Sequence, residues 1–310
     1  MSPGAEVGQS GVGIGLRAAH HGAFLSQSTK VDFVEVHAEN FMAAGGAARA
    51  LLRQVRQKTS LSLHAVGLGL GSAVGIDEAH LAKLAELVRE FDPLLVSDHA
   101  CFCRAQLPGR NASSALPQTL PVHGADLLPL AFTRASLHIL SSNVQRVQDA
   151  LQRRLLVENL SAYLQFEDST LVETDFLAEL CKRTGCGLLL DANNLVVNAI
   201  NAGAEDPAQS ACAWVDALAQ HQSIHIGEIH LAGHRAPHAT LTPDQPKLRV
   251  IDDHSQCVND SVWQVHDHAL RYWPHAPRLV EWDVDLPSFD TLLAQADMAR
   301  ERGAKILRCA

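Results

Sequence analysis

The sequence has no apolar run approaching the ~18–20 residues of a membrane span, and its opening, MSPGAEVGQSG, lacks a basic segment followed by an apolar one. Neither a membrane association nor a secretory signal is therefore expected, and the location is read as cytoplasmic. Cations are scarce: 25 Lys plus Arg against 34 Asp plus Glu give a formal charge of −9. That balance lacks the basic face of a non-specific nucleic-acid binder, so no nucleic-acid partner is expected. No Cys-x-x-Cys pair occurs, and Cys101-x-Cys103 is too tight for a zinc ribbon. The seven Cys, an odd number without a secretion signal, read as reduced thiols acting mostly as small buried hydrophobes. A Gly-x-Ser-x-Gly elbow, a Walker A loop and a Gly-x-Gly-x-x-Gly turn after the first strand are all missing.

What is present is a core and an excess of histidine. Hydrophobic residues make up 47% of the 310, and there are 17 His. Eight short apolar runs, at 12–17, 31–37, 60–65, 94–99, 155–159, 187–191, 225–231 and 278–283, read as strands. Stretches with helical apolar spacing separate them, at 76–91, 133–151, 171–184, 211–220 and 287–302. Continuous apolar strands alternating with helices predict a parallel sheet covered on its outside. Eight in one chain predict an α/β (β/α)8 TIM barrel occupying about 11–303 of a single 1–310 domain, with a doubly wound open sheet as competitor. Two long segments, 100–128 and 232–259, follow the fourth and seventh strands and would lie on the C-terminal face as functional loops.

Polar residues collect at the strand ends, which converge on one bowl in a barrel. His64, His99, Glu158, Asp191, His230 and Glu281 supply nitrogen and oxygen donors without thiolate, a set suited to Fe, Mn or Zn. Asp252-x-His254 adds two donors projecting to one side, and Asp191-x-x-Asn194 adds a short-range pair. This exceeds what one octahedral ion accepts, so two or three metals with bridging carboxylates are expected. Asp191 or Glu158 alone could instead cap the next helix. Asp126 either caps a turn or reaches the site. His234 and His238 lie just beyond the seventh strand, whereas His20, His21, His80, His138, His221, His266, His268 and His275 read as mostly surface. The glycine-rich stretch at 64–72 is either an anion cradle or a tight turn.

The donor order resembles the endonuclease IV pattern of the xylose-isomerase-like barrels: His, His, Glu, Asp-x-x-His, His, Asp-x-His, Glu. Here it reads His64, His99, Glu158, Asp191-x-x-Asn194, His230, Asp252-x-His254, Glu281, with Asn194 replacing a His.

The surrounding phrases resemble another branch. GIGLR (13–17), VEVHAENFM (34–42), LHAVGLGLGS (63–72), SDH (97–99), DLLPL (126–130), LLVEN (155–159), TGCGLLLDANN (184–194), EIHLAGH (228–234), VNDSVW (258–263) and VEWDVDLPSFD (280–290) are similar to the multinuclear non-haem iron-dependent oxidative enzymes. This UPF0276-like family includes the catalytic subunit of methanobactin biosynthesis. Leu160 stands where the family usually has Pro.

The resemblance implies an oxidoreductase with two or three irons, mixed-valent Fe(II)/Fe(III), and O2 as co-substrate. It would modify a Cys residue of a ribosomally synthesised precursor peptide with the help of a leader-binding partner protein. The implied metal set is His64, His99, Asp126, Glu158, Asp191, Asn194, His230, Asp252, His254 and Glu281, with Asp191, Asn194 and His230 also catalytic. A metal-dependent hydrolase or isomerase on the same barrel, such as an endonuclease IV-like zinc phosphoesterase, is the second reading. A non-catalytic metal- or peptide-binding module is the third.

Overall fold

The structure, a computed structural model, describes residues 10–106, 121–235 and 250–309. Its strands are β1 (Val12–Gly15), β2 (Phe33–His37), β3 (Ser60–His64), β4 (Leu95–His99), β5 (Phe102–Ala105), β6 (Val122–Leu128), β7 (Leu156–Glu158), β8 (Gly187–Asp191), β9 (Ile226–Leu231) and β10 (Arg278–Val280). All but β5 and β6 close into a parallel barrel in the order β1-β10-β9-β8-β7-β4-β3-β2. The expected barrel is thus the one found, and each of the eight apolar runs contributes one of its strands. Pairing of Val12 with Arg278 closes the ring and excludes the open sheet.

The described α-helices are α1 (His21–Ser26), α2 (Gly46–Lys58), α3 (Glu78–Phe91), α4 (Arg134–Leu151), α5 (Glu173–Thr184), α6 (Ala192–Asn201), α7 (Pro207–Ala219), α8 (Asp260–Ala269) and α9 (Phe289–Cys309). Their ends carry local signals. Asp77 accepts from the Ala79 and His80 amides at the start of α3, and Thr133 and Ser136 form a capping box on α4. Gly185, at φ +69°, ends α5 in the left-handed conformation that glycine tolerates. None of these helices is long and apolar enough to cross a membrane.

Helices α2, α6 and α8 do not stand out in the sequence. The inner face of α2 includes Arg49, whose guanidinium donates to Glu90 at 2.5 Å and to the Phe41 carbonyl at 3.1 Å. A buried arginine breaks the apolar period that marks a helix. In α8 the buried face includes His266, which together with His20 corrects the surface reading of those two residues. His20 lies 2.9 Å from the Pro287 carbonyl and His266 lies 2.8 Å from Asp267, so both imidazoles have partners in the interior.

The long segment after β4 is not structureless. β5 and β6 pair antiparallel, with Phe102 opposite Leu128, as a hairpin outside the barrel. The remainder of that segment, 107–120, and residues 236–249 of the other, with His238, lie outside the described residues. Cys101, Cys103, Cys181, Cys186, Cys212 and Cys257 are free, and the first four are buried.

The barrel is apolar at one end and polar at the other. Near its base Leu156 packs against Gly187 and Gly227, where a Cβ on either glycine would overlap the leucine side chain. Burial of such a leucine contributes roughly 1.5–3 kcal/mol. The opposite, C-terminal end collects the His, Asp and Glu side chains at the ends of β2, β3, β4, β7, β8 and β9.

Candidate metal centre

Strand register sets the site. His37 is the ladder partner of His64, His99 of Glu158, and Asp191 of His230. Parallel strands ending level therefore bring these side chains to one layer. Within it, three groups of donor atoms each lie within 4.8 Å of one another: His64, His99 and Glu158; Glu158, Asp191 and His230; Asp191, His254 and Glu281. Glu158 links the first group to the second, and Asp191 links the second to the third. His64 Nε2 and His99 Nε2 approach Glu158 Oε2 at 3.5 and 3.4 Å. His230 Nδ1 and His254 Nδ1 approach Glu281 Oε2 at 3.2 and 3.5 Å.

Outer contacts aim these donors. Ser97 Oγ lies 2.8 Å from His64 Nδ1 and leaves Nε2 for the bowl. Arg17, at the exit of β1, donates from Nη2 to Glu281 Oε1 at 2.7 Å and from Nε to Asp283 Oδ1 at 2.5 Å. Asp283 in turn faces His254 Nδ1 at 3.0 Å. His254 sits at φ +44°, a left-handed conformation that costs a non-glycine residue about 1–2 kcal/mol. The cost is borne where an imidazole is turned into the bowl. Asn194 Nδ2 donates to the Asn159 carbonyl at 3.0 Å and faces Glu158 Oε1 at 3.5 Å. Asp252 lies 2.7 Å from His254 Nε2 and accepts from Asn193 at 2.6 Å, while His234 lies 2.7 Å from Asn193 on its other side.

The electrostatics are those of a crowded, dehydrated carboxylate–imidazole cluster. Burial pushes Glu158 up to about 8, and burial together with the Asp252 charge pushes Asp191 up to about 7. Burial lowers His99, but the charges of Glu158 and Asp98 outweigh it and hold the imidazole at about 9. Burial and the neighbouring imidazoles hold His64 well below its usual value, hence neutral and able to ligate. Burial opposes ionisation of Glu281, yet His254 and His230 hold it well below the carboxylate range.

Several buried polar atoms in and around this layer make no well-aligned hydrogen bond among the described residues, even where a carboxylate lies close: Glu158 Oε2, Asp191 Oδ2, Asn194 Oδ1, His230 Nδ1 and Nε2, and His254 Nε2. Buried polar atoms are normally satisfied, and one orphan costs about 1–3 kcal/mol. So many at one place fit bound cations. The donors are imidazole, carboxylate and amide, which matches iron and other borderline or hard first-row ions.

Some residues the sequence reading passed over belong here. Glu35 and Glu228, both fully buried, form a further donor group with His230, and His37 and Asp283 form one with Glu281. The signal was alternation: Glu35 precedes His37, Glu228 precedes His230 and Glu281 precedes Asp283 by two residues, so each pair shares a strand face. Asp126 is not brought into these groups. It lies exposed on hairpin strand β6, where Oδ1 accepts from the Leu127 amide.

The glycine-rich loop is a turn rather than an anion cradle. Its amides are spent internally, Leu68 on Asp98, Gly71 on the Cys101 carbonyl and Ser72 on the Gly69 carbonyl. Gly69, at φ +58°, passes so close to Cys103 Sγ that a Cβ would collide with it.

Comparison with known proteins agrees with this architecture. A solved D-psicose 3-epimerase from Clostridium cellulolyticum superposes with a TM-score of 0.58 at 10% identity, covering 96% of this chain and 99% of that one. Endonuclease IV from Thermus thermophilus gives 0.52 at 14% identity over 97% and 100%. A xylose isomerase domain protein from Alicyclobacillus acidocaldarius gives 0.53 at 15% over 96% and 98%. These likenesses, all at low identity, show the barrel fold. In sequence, a UPF0276 protein of Chromobacterium violaceum is 43% identical over 288 residues, 93% of each chain. A UPF0276 protein of Caulobacter vibrioides is 39% identical over 295 residues, 95% of this chain and 94% of that one. The profile of the RiPP precursor modification enzymes MbnB/TglH/ChrH matches residues 11–303, nearly the whole chain, and the protein belongs to that family.

Proposed function

We propose that this chain is a multinuclear non-haem iron oxidoreductase that uses O2 to oxidise a Cys residue of a ribosomally made precursor peptide, assisted by a leader-binding partner protein. The observation that carries the reading is the run of donor groups joined through Glu158 and Asp191 and ringed by orphaned buried atoms. Shared carboxylates suit adjacent ions, and three linked donor groups support a reading of two or three. Iron held by His64, His99, Glu158, Asp191, His230, His254 and Glu281 would supply electrons to O2 and acidify a coordinated thiol.

The protein's own groups do the positioning. Ser97 orients His64, and Arg17 with Asp283 orients Glu281 and His254. Asn194 steadies Glu158 through Nδ2 and leaves Oδ1 facing the bowl. Asp252 lies beside His254 Nε2, where it can ligate or take that nitrogen's proton. Asp191, itself a shared carboxylate, His230, which shares a donor group with Glu158 and Asp191, and Asn194, beside Glu158, are assigned to contact the reacting atoms. Burial of the layer excludes bulk water and keeps the cluster's charges strongly coupled.

The test is mass spectrometry of a Cys-containing precursor peptide incubated with the iron-loaded chain and the leader-binding protein. A mass change on admitting O2, absent with a Cys→Ser peptide and with Glu158→Ala, is expected. Turnover that needs no O2 and survives replacement of iron by zinc would instead favour a hydrolase.

A further inference from the structure

Beside the bowl, on the same face, lies a groove of about 540 Å³. Its walls include Leu130, Phe132, Leu164, Phe166 and Asn198, and Glu173 lines it from the start of α5. Two features mark it as built for an occupant. Leu164 and Phe166 are 59% and 37% exposed although both belong to an apolar wall. The Glu173 carboxylate has one partner among the described residues, the indole Nε1–H of Trp214 at 2.9 Å, and no cation. Burial raises its carboxyl to about 7 against that hydrogen bond, and a cation arriving beside it would favour the ionised form and pair with it.

The groove and the metal layer share structure. Asn198 lies one helical turn beyond Asn194 on α6. Asn198 Oδ1 accepts from the Ala162 amide at 2.7 Å and its Nδ2 donates to the Leu160 carbonyl at 2.9 Å. The segment 158–162 therefore begins at a metal donor and ends in the groove wall. A peptide with its reacting residue at the bowl would lay a neighbouring side chain here.

We infer that this groove is a substrate subsite for a cationic side chain, Lys or Arg, of the peptide, with Glu173 as counter-ion and the four apolar residues packing along the aliphatic stem. Long cationic side chains suit such a site because their stems are apolar and their heads charged. The inference rests on the proposed function for its occupant, but its test does not depend on turnover.

The iron-loaded protein, under nitrogen, is titrated with N-acetyl-leucyl-arginine amide and with the citrulline counterpart, which has nearly the same shape and no charge. Tryptophan emission reports binding because Trp214 is bonded to Glu173. The arginine probe is expected to bind at least about fivefold more tightly. Glu173→Gln, which keeps an acceptor for Trp214, is expected to abolish the difference. Equal binding of the two probes by the unaltered protein, or an arginine preference that persists in Glu173→Gln, would overturn the subsite. If peptide oxidation fails while the discrimination holds, the reaction falls and the subsite stands. If oxidation proceeds and no discrimination is seen, the subsite alone falls.

Discussion

Asp191 divides its two oxygens between structure and site: Oδ1 accepts the backbone N–H of Asn194 at 2.6 Å and caps α6, while Oδ2 is buried without a hydrogen-bond partner among the described residues. The capping and ligating readings of this residue are thus compatible. They can be separated with Asp191→Asn, whose remaining oxygen still caps the helix while an amide replaces the second donor. The melting temperature of the metal-free variant is expected within about 3 °C of the parent. Its metal content, by elemental analysis, is expected to fall by about one ion per chain or more. Unfolding with full metal content retained would reverse the assignment.

Arg17 provides the next test. Its fork holds Glu281 and Asp283 at once, and Gly15 leaves the space into which the guanidinium folds, an ideal Cβ there lying 3.2 Å from Nη1. Lysine keeps the charge and loses the fork. Arg17→Lys is expected to weaken metal binding about 10- to 100-fold, as loss of an outer partner typically does. A competition titration against a chelator measures this, and an unchanged affinity would remove Arg17 from the positioning role.

The metal-free cluster holds protons that metal must displace. Glu158 near 8, Asp191 near 7 and His99 near 9 are all raised above their unfolded values. Between the unfolded and folded values the native state binds more protons than the unfolded one. The stabilisation these three groups give the metal-free protein should therefore be lost progressively as pH rises from about 4 to 9, with His99 contributing only above about 6.5. Metal loading at pH 7 should release protons and tighten with rising pH. Calorimetry in buffers of different ionisation enthalpy checks the release, and a heat independent of buffer would contradict the charge assignment.

A fourth prediction concerns the glycine-rich loop. Buried Asn143 on α4 donates to the Leu70 and Ser72 carbonyls at 2.8 and 3.1 Å. Asn143→Ala strands both acceptors and is expected to destabilise the fold by about 2 kcal/mol. Denaturant unfolding of the metal-free protein measures the loss. A change below about 0.5 kcal/mol would mean that the loop is held some other way.

The barrel was legible because eight apolar runs alternate with helices, and the main donors because His64, His99, Glu158, Asp191 and His230 close those runs. What was not legible depends on closure. Arg17 and Glu281 are 264 residues apart and meet only because β1 pairs with β10. Glu35 and Glu228 stand one alternation inside the strand ends, where a lone carboxylate reads as an ordinary polar residue until the ring places both against His230. Buried polar helix faces, such as that of Arg49, hid α2 for the same reason: their partners come from other elements.

The most direct test of the central claim is the metal content of anaerobically purified protein, by elemental analysis with Mössbauer and EPR spectroscopy. The account predicts two or three irons per chain, part of them a coupled mixed-valent pair, with the signal lost in Glu158→Ala. Stoichiometric zinc that persists through reconstitution with iron, with no O2 consumed on adding a Cys peptide, would contradict it.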